Sequence, residues 1–131
     1  MSNQLAPDAS VDGRIQQALA RGHTIDITTT GRRTGLPRRI EMVFHNIDGR
    51  IVISGIPGRR SWYANILADP SFTFHLKGPV VADLPAKARP IVEPDERRAV
   101  MARVAGNWGR RDLDAMLERS PLIEVTFDRA A

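Results

Sequence analysis

Threonine, glycine and arginine crowd one stretch of the chain, Thr28-Thr29-Thr30-Gly31-Arg32-Arg33-Thr34-Gly35-Leu36-Pro37-Arg38-Arg39. Gly31 and Gly35 let a backbone turn and approach a ligand closely. Thr hydroxyls and exposed amides can donate to an oxyanion. Four flanking guanidinium groups add charge-assisted forks, which hold phosphate or carboxylate strongly. The spacing is not that of a Walker loop, because no Gly-Lys-Ser/Thr follows. The same residues also suit a hairpin turn with a solvated basic rim, and residue types alone leave both readings open.

A second cluster is Gly55-Ile56-Pro57-Gly58-Arg59-Arg60-Ser61-Trp62-Tyr63-Ala64-Asn65. A glycine loop runs into a helix start there, where free N–H groups and the helix dipole favour an anion. Trp62 and Tyr63 suit a planar ring, and equally suit the anchoring of a short helix in a core. His45 and His75 fall in alternating strand patterns, where a surface or satisfied core histidine is the ordinary case. Glu41 and Glu124 read as strand surface charges. No Ser/His/Asp arrangement stands out, and no residue is assigned a catalytic role.

Composition narrows the chemistry. The 131 residues contain no cysteine, which removes thiolate nucleophiles, zinc fingers and iron–sulfur clusters. The three histidines are too scattered for a metal motif, so no metal is expected. The net charge is +4, and 17 of the 19 basic residues are arginine. Arginine doublets are scattered over several elements and aromatic residues are only 5%, too few for a base-stacking platform; no nucleic-acid partner is expected. No apolar run reaches the ~20 residues of a membrane span. The start of the chain lacks a signal peptide's apolar centre. A cytoplasmic location without stable membrane insertion follows as the expectation.

The elements that must position these clusters read as follows. Residues 1–9 form a loose tail, and 10–131 one domain. Ser10 caps a helix through about Arg21, with Val11, Ile15, Ala18 and Leu19 on one face. Thr24–Thr30, Arg39–His45 and Ile51–Ser54 alternate as strands, the last two joined by the hairpin signal Asp48-Gly49. Ser61 caps a helix from Trp62 to Ala68. Ser71–Lys77 and Val80–Ile91 are strands, with Pro85 and Pro90 pointing to an edge or a bulge. Pro94 opens a helix through about Ala105. Arg110–Arg119 is a further helix and Pro121–Phe127 a last strand. About six short antiparallel strands with three to four helices, without regular β–α alternation, favour a mainly β (α+β) fold built on a small decorated barrel.

The order of these motifs resembles the deazaflavin-dependent nitroreductase family. The resemblance rests on Thr28 to Arg38, Asp48-Gly49, Ser54, and Trp62-Tyr63-Ala64-Asn65-Ile66 followed by Asp69-Pro70, and runs from about Thr24 to Arg89. It implies a split β-barrel like that of FMN-binding proteins. It also implies coenzyme F-420, an 8-hydroxy-5-deazaflavin with a phosphorylated, acidic tail, ahead of FMN itself. The implied reaction is hydride transfer from the reduced coenzyme to a small quinone, enone or nitroaromatic acceptor. The turn from Arg32 to Arg38 would hold the tail, and the Ser54–Ser61 loop with Trp62 would lie near the ring. The expected cofactor site is therefore Thr30, Arg32, Arg33, Thr34, Gly35, Pro37 and Arg38, with Ser54, Gly55, Arg59, Arg60, Ser61 and Trp62.

The chain departs from that family at two points. Gly55-Ile56-Pro57-Gly58 carries no lysine, and Tyr63 is the only tyrosine, so none stands near the C-terminus. These departures keep a second expectation open: a non-enzymatic carrier of a fatty acid, flavin or similar ligand on the same fold. Either a monomer or a homodimer is compatible with the sequence.

Overall fold

The computed structural model describes residues 13–22 and 24–128. The expected tail, the Ser10 cap and Val11 lie outside them. The described chain runs α1 (Gly13–Arg21), β1 (Thr24–Thr30), β2 (Pro37–Ile47), β3 (Arg50–Ser54), α2 (Ser61–Ala68), β4 (Ser71–Lys77), β5 (Val81–Pro90), α3 (Pro94–Trp108), α4 (Leu113–Arg119) and β6 (Leu122–Phe127). The six strands close an antiparallel barrel in the order β1-β2-β3-β6-β5-β4, as the alternating patterns predict.

Alternation explains the barrel's interior. Ile25 and Ile27 of β1, Phe72, Phe74 and Leu76 of β4, and Ile123 and Val125 of β6 point inward and are buried. Phe74 meets Phe44 and Phe127 edge-on, with ring centroids 5.3 and 5.1 Å apart, an arrangement that aligns ring edges with ring faces. Each such buried side chain contributes roughly 1.5–3 kcal/mol by leaving water. A second, smaller core forms where α3 and α4 cover the outside of β2 and β3, around Val52, Ile91, Met101, Met116 and Leu122.

The barrel is not evenly knit. β2 pairs with β1 along Pro37–Val43, then with β3 along Phe44–Ile47. Its first half therefore has a hydrogen-bonded neighbour on one side only, and the wall splays open beside Arg38, Ile40 and Met42. This split supplies the candidate site.

Pro85 lies at an edge, as expected: Val81–Pro85 pair only with β4, and the ladder to β6 begins at Ala86, so the missing N–H of Pro85 falls where β6 has ended. Two other expectations need correction. Ser61 does not cap α2. Arg60 holds the N-cap position with no side-chain bond, and Ser61 is already helical. The helix after Pro94 runs on to Trp108, and α4 begins only at Leu113, because Gly109 turns left-handed and Arg110 N–H returns to the carbonyl of Ala105.

Glu124 is not a free surface charge either. It lies between Arg50 (Nε–Oε2 3.0 Å) and Arg89 (Nη2–Oε1 2.6 Å), and both arginines also hold Glu96 of α3 at 2.7 Å. Four charges from β3, β5, α3 and β6 thus neutralise one another on one flank.

Candidate functional site

The two glycine loops predicted from sequence meet at the split. Their link is Asn65 of α2, which is buried. Its Oδ1 accepts from both the backbone N–H and Nη1 of Arg32, each at 3.1 Å, and its Nδ2 donates to Thr29 Oγ1 at 3.2 Å. A polar side chain is tolerated in that interior because its hydrogen bonds are met. Asn65 therefore fixes the 31–36 turn against the helix that follows the 55–60 loop.

The turn itself is braced from within. Gly31 N–H donates to Leu36 O, Gly35 N–H to Gly31 O, and Leu36 N–H to Thr34 Oγ1. Gly35 sits at φ +72°, where a side chain would be strained. The amides of Gly31, Arg32, Gly35 and Leu36 are all taken up inside the protein. The turn's positive charge comes from side chains.

Those side chains divide. Arg38 lines a cleft of about 420 Å³ with Pro37, Ile40, Ser61 and Trp62. Arg39 also borders the cleft, but its Nε is engaged by Asp26 Oδ2 at 3.0 Å. Lys77 also grips Asp26, and Lys77 and Arg39 together hold its carboxyl below the usual range. Arg32 is anchored on Asn65. Arg33, Thr34 and Thr30 are exposed around the turn. Of the seven residues predicted here, Pro37 and Arg38 are the ones turned to the cleft.

The cleft continues past Ile40 and Trp62 into an apolar groove of about 470 Å³, walled by Met42, Val43, Ile56 and Trp108. Ile40 and Ile56, at 37% and 55% exposure, leave apolar surface open to solvent there. Trp62 is 5% exposed, so it anchors the core and lines the groove at once. Ser54 and Gly55 form part of the same lining. The Ser54 hydroxyl, however, is buried and donates to Pro121 O at 2.7 Å; Ser54 shapes the floor without offering its oxygen.

In the second loop, Arg60 folds back. Its Nη1 donates to Arg59 O at 2.8 Å and its Nη2 to Ile56 O at 2.9 Å. Gly58 permits this: a Cβ there would lie 2.9 Å from Arg60 Nη1, and φ is +134°. Arg60 is thus a brace for the loop, while Arg59 is exposed.

From sequence, Trp108 suits either a core plug or the lining of a pocket mouth; in the fold it lines the groove. It closes the far wall from the end of α3, with its ring edge-on to His45, centroids 4.8 Å apart. No local signal separates the two, since a partner 63 positions earlier brings it there. His45 is buried with Nε2 unpartnered, and burial pushes its pKa down, towards the neutral form. His75 is instead satisfied, by Thr28 Oγ1 and Asp83 Oδ1, both at 2.7 Å. Among the described residues no cluster of His, Asp or Glu could hold a metal, and no helix is long and apolar enough to cross a membrane.

Comparison with known proteins agrees with this architecture. Rv2991 from Mycobacterium tuberculosis superposes with a TM-score of 0.71 at 20% identity, over 98% of this chain and 87% of its own. HutZ, the heme storage protein from Vibrio cholerae, gives 0.68 at 14% identity, over 92% of each chain. A protein described as an F420 reductase gives 0.58 at 20% identity, over 86% of this chain and 92% of its own. At these identities the likeness speaks for the fold. The sequence itself goes further, matching the F420H(2)-dependent quinone reductase family over residues 3–126. With its split barrel and its groove between two glycine loops, the chain belongs to that family.

Proposed function

We propose that the protein is a reductase that binds coenzyme F-420 in the split of the barrel and reduces a small quinone-like acceptor beside it. The observation that carries this reading is the groove itself: an open apolar slot between Ile40, Trp62 and Trp108 that runs into a cleft bearing the uncompensated guanidinium of Arg38. A flat ring would cover the exposed apolar surface, and an acidic tail would meet the charge. Family membership supports the same cofactor.

When bound, the reduced deazaflavin supplies a hydride, so the protein need not provide a nucleophile. The protein's part is placement. Trp62 and Ile40 wall the ring position and exclude water. Arg38, with Arg33 from the exposed turn, attracts the phosphate and carboxylates. Asn65 holds the turn in register with α2, so the two halves of the site keep their spacing. Trp108 bounds the open side, where an acceptor would stack.

Titration with oxidised F-420, followed by quenching of its fluorescence, tests the reading. Saturable binding at tens of micromolar or tighter is the expected result; none at that concentration overturns it. A protein that binds F-420 yet never oxidises the reduced form with any quinone would be a carrier instead.

A further inference from the structure

Behind the 55–60 loop lies a second cleft, of about 530 Å³, bounded by that loop, Tyr63, α3 and the end of α4. We propose that this cleft is a separate binding site for a small organic acid, with the carboxylate between Arg59 and Arg119 and the apolar body against Tyr63 and Val92.

Charge is the first argument. Arg59, Arg60, Arg97 and Arg119 line the cleft, against the single carboxylate of Glu118. Arg60 and Arg97 are bonded to carbonyls, which hold the side chains but cancel no charge. Arg97 is the clearer case. Its Nε donates to Leu117 O at 2.9 Å, Nη1 to Ile91 O at 3.0 Å, and Nη2 to Met116 O at 3.3 Å and Ser120 O at 2.5 Å. Partial burial pushes its pKa down, the mark of a cation held without a carboxylate. Five arginines elsewhere are answered by acids: Arg39 by Asp26, Arg50 and Arg89 by Glu96 and Glu124, Arg103 by Asp48, Arg110 by Asp112.

Geometry is the second. A helix C-terminus ordinarily repels anions. Here Arg97 covers three of the carbonyls around the end of α4, so that end of the helix presents a guanidinium. Gly58 N–H donates to Arg119 O at 3.0 Å, which ties the loop to α4. The two exposed guanidiniums, Arg59 and Arg119, therefore flank one cleft on connected supports. Val92, 68% exposed, and Tyr63 provide the apolar surface that distinguishes an organic acid from a bare inorganic ion.

The test uses 2-naphthoate and its uncharged amide, 2-naphthamide, on the intact protein labelled with 15N. Naphthoate should shift the amides of Gly58 and Ser120 saturably at about 1 mM or below, and naphthamide should not. Arg119→Ala and Arg59→Ala should each weaken naphthoate roughly tenfold or more, whereas Arg38→Ala in the other cleft should leave it unchanged. Equal binding of naphthamide, shifts confined to residues 37–42, or no saturable shift at all would each overturn the proposal. The F-420 titration is read separately, so either site can fail without the other.

Discussion

Two arginine clusters in this molecule differ in one respect. On the flank of the barrel, Arg50 and Arg89 face Glu96 and Glu124 across four elements, with every charge answered. Around the glycine loops, Arg33, Arg38 and Arg59 have no carboxylate partner among the described residues, and Arg32 and Arg60 are held by an amide oxygen and by carbonyls. The side chains are alike, so the difference lies in what the fold places opposite them. Arginines used to join elements meet acids within the protein. Of those left positive, Arg38 and Arg59 line clefts, where the answering anion must come from outside.

This contrast can be broken at several points. The largest effect belongs to Arg38→Ala. Removing one charge-assisted contact should weaken F-420 by about 1.5–3 kcal/mol, while the urea midpoint stays where it was. An unchanged dissociation constant would move the tail away from this cleft.

Asn65→Ala stands at the boundary between the two roles. It strands the Thr29 hydroxyl and releases Arg32, so both stability and affinity should fall. Leaving buried polar groups unpaired costs about 1–3 kcal/mol, readable in equilibrium urea unfolding; wild-type stability with weaker cofactor binding would confine Asn65 to the site.

Glu124→Gln, on the compensated flank, should do the opposite. It should lower stability by about 1 kcal/mol, since the network is partly open to water, and leave F-420 affinity untouched. A loss of affinity in this variant would show that the two clusters are not independent.

Acid titration sharpens the same point. Arg89 first, and then Arg50, hold the Glu96 carboxyl down to about 2, from an ordinary 4.5. A carboxyl depressed in the folded state stabilises the fold above its unfolded pKa, and that contribution is lost as pH falls through the folded value. Stability should therefore decline between about pH 4.5 and 2, and Glu96→Gln should flatten that decline. An unaltered acid limb would remove Glu96 from the network. The smallest effect is that of Arg103→Ala, whose pair with Asp48 is exposed on both sides; its thermal midpoint should match the wild type.

Much of this fold was legible along the chain. β1 and β4 begin and end where the β-branched alternation does, and Asp48-Gly49 turns the hairpin with both φ angles positive. The site was legible by segment more than by atom. The sequence showed two basic glycine loops, and the fold brings them together through Asn65. It did not show that β2 changes partner at Phe44, which opens the groove, because the alternating pattern runs unbroken through that residue and does not say which neighbour it will face. Glu124 looked solvent-facing, Ser54 looked available, and Trp108 stayed undecided between core and pocket mouth: Arg50, Pro121 and His45 decide those roles, from 63 to 74 positions away.

The strand order also governs how the chain must assemble. β6 inserts between β3 and β5, and it is made after both of them. Until it emerges, the edges of β3 and β5 that it will occupy stay unpaired and able to recruit other chains. Closure over so long a sequence separation is slow for entropic reasons. During synthesis, then, the vulnerable interval ends only with Leu122–Phe127, and damage to that short segment would be felt as aggregation before any loss of activity could be measured.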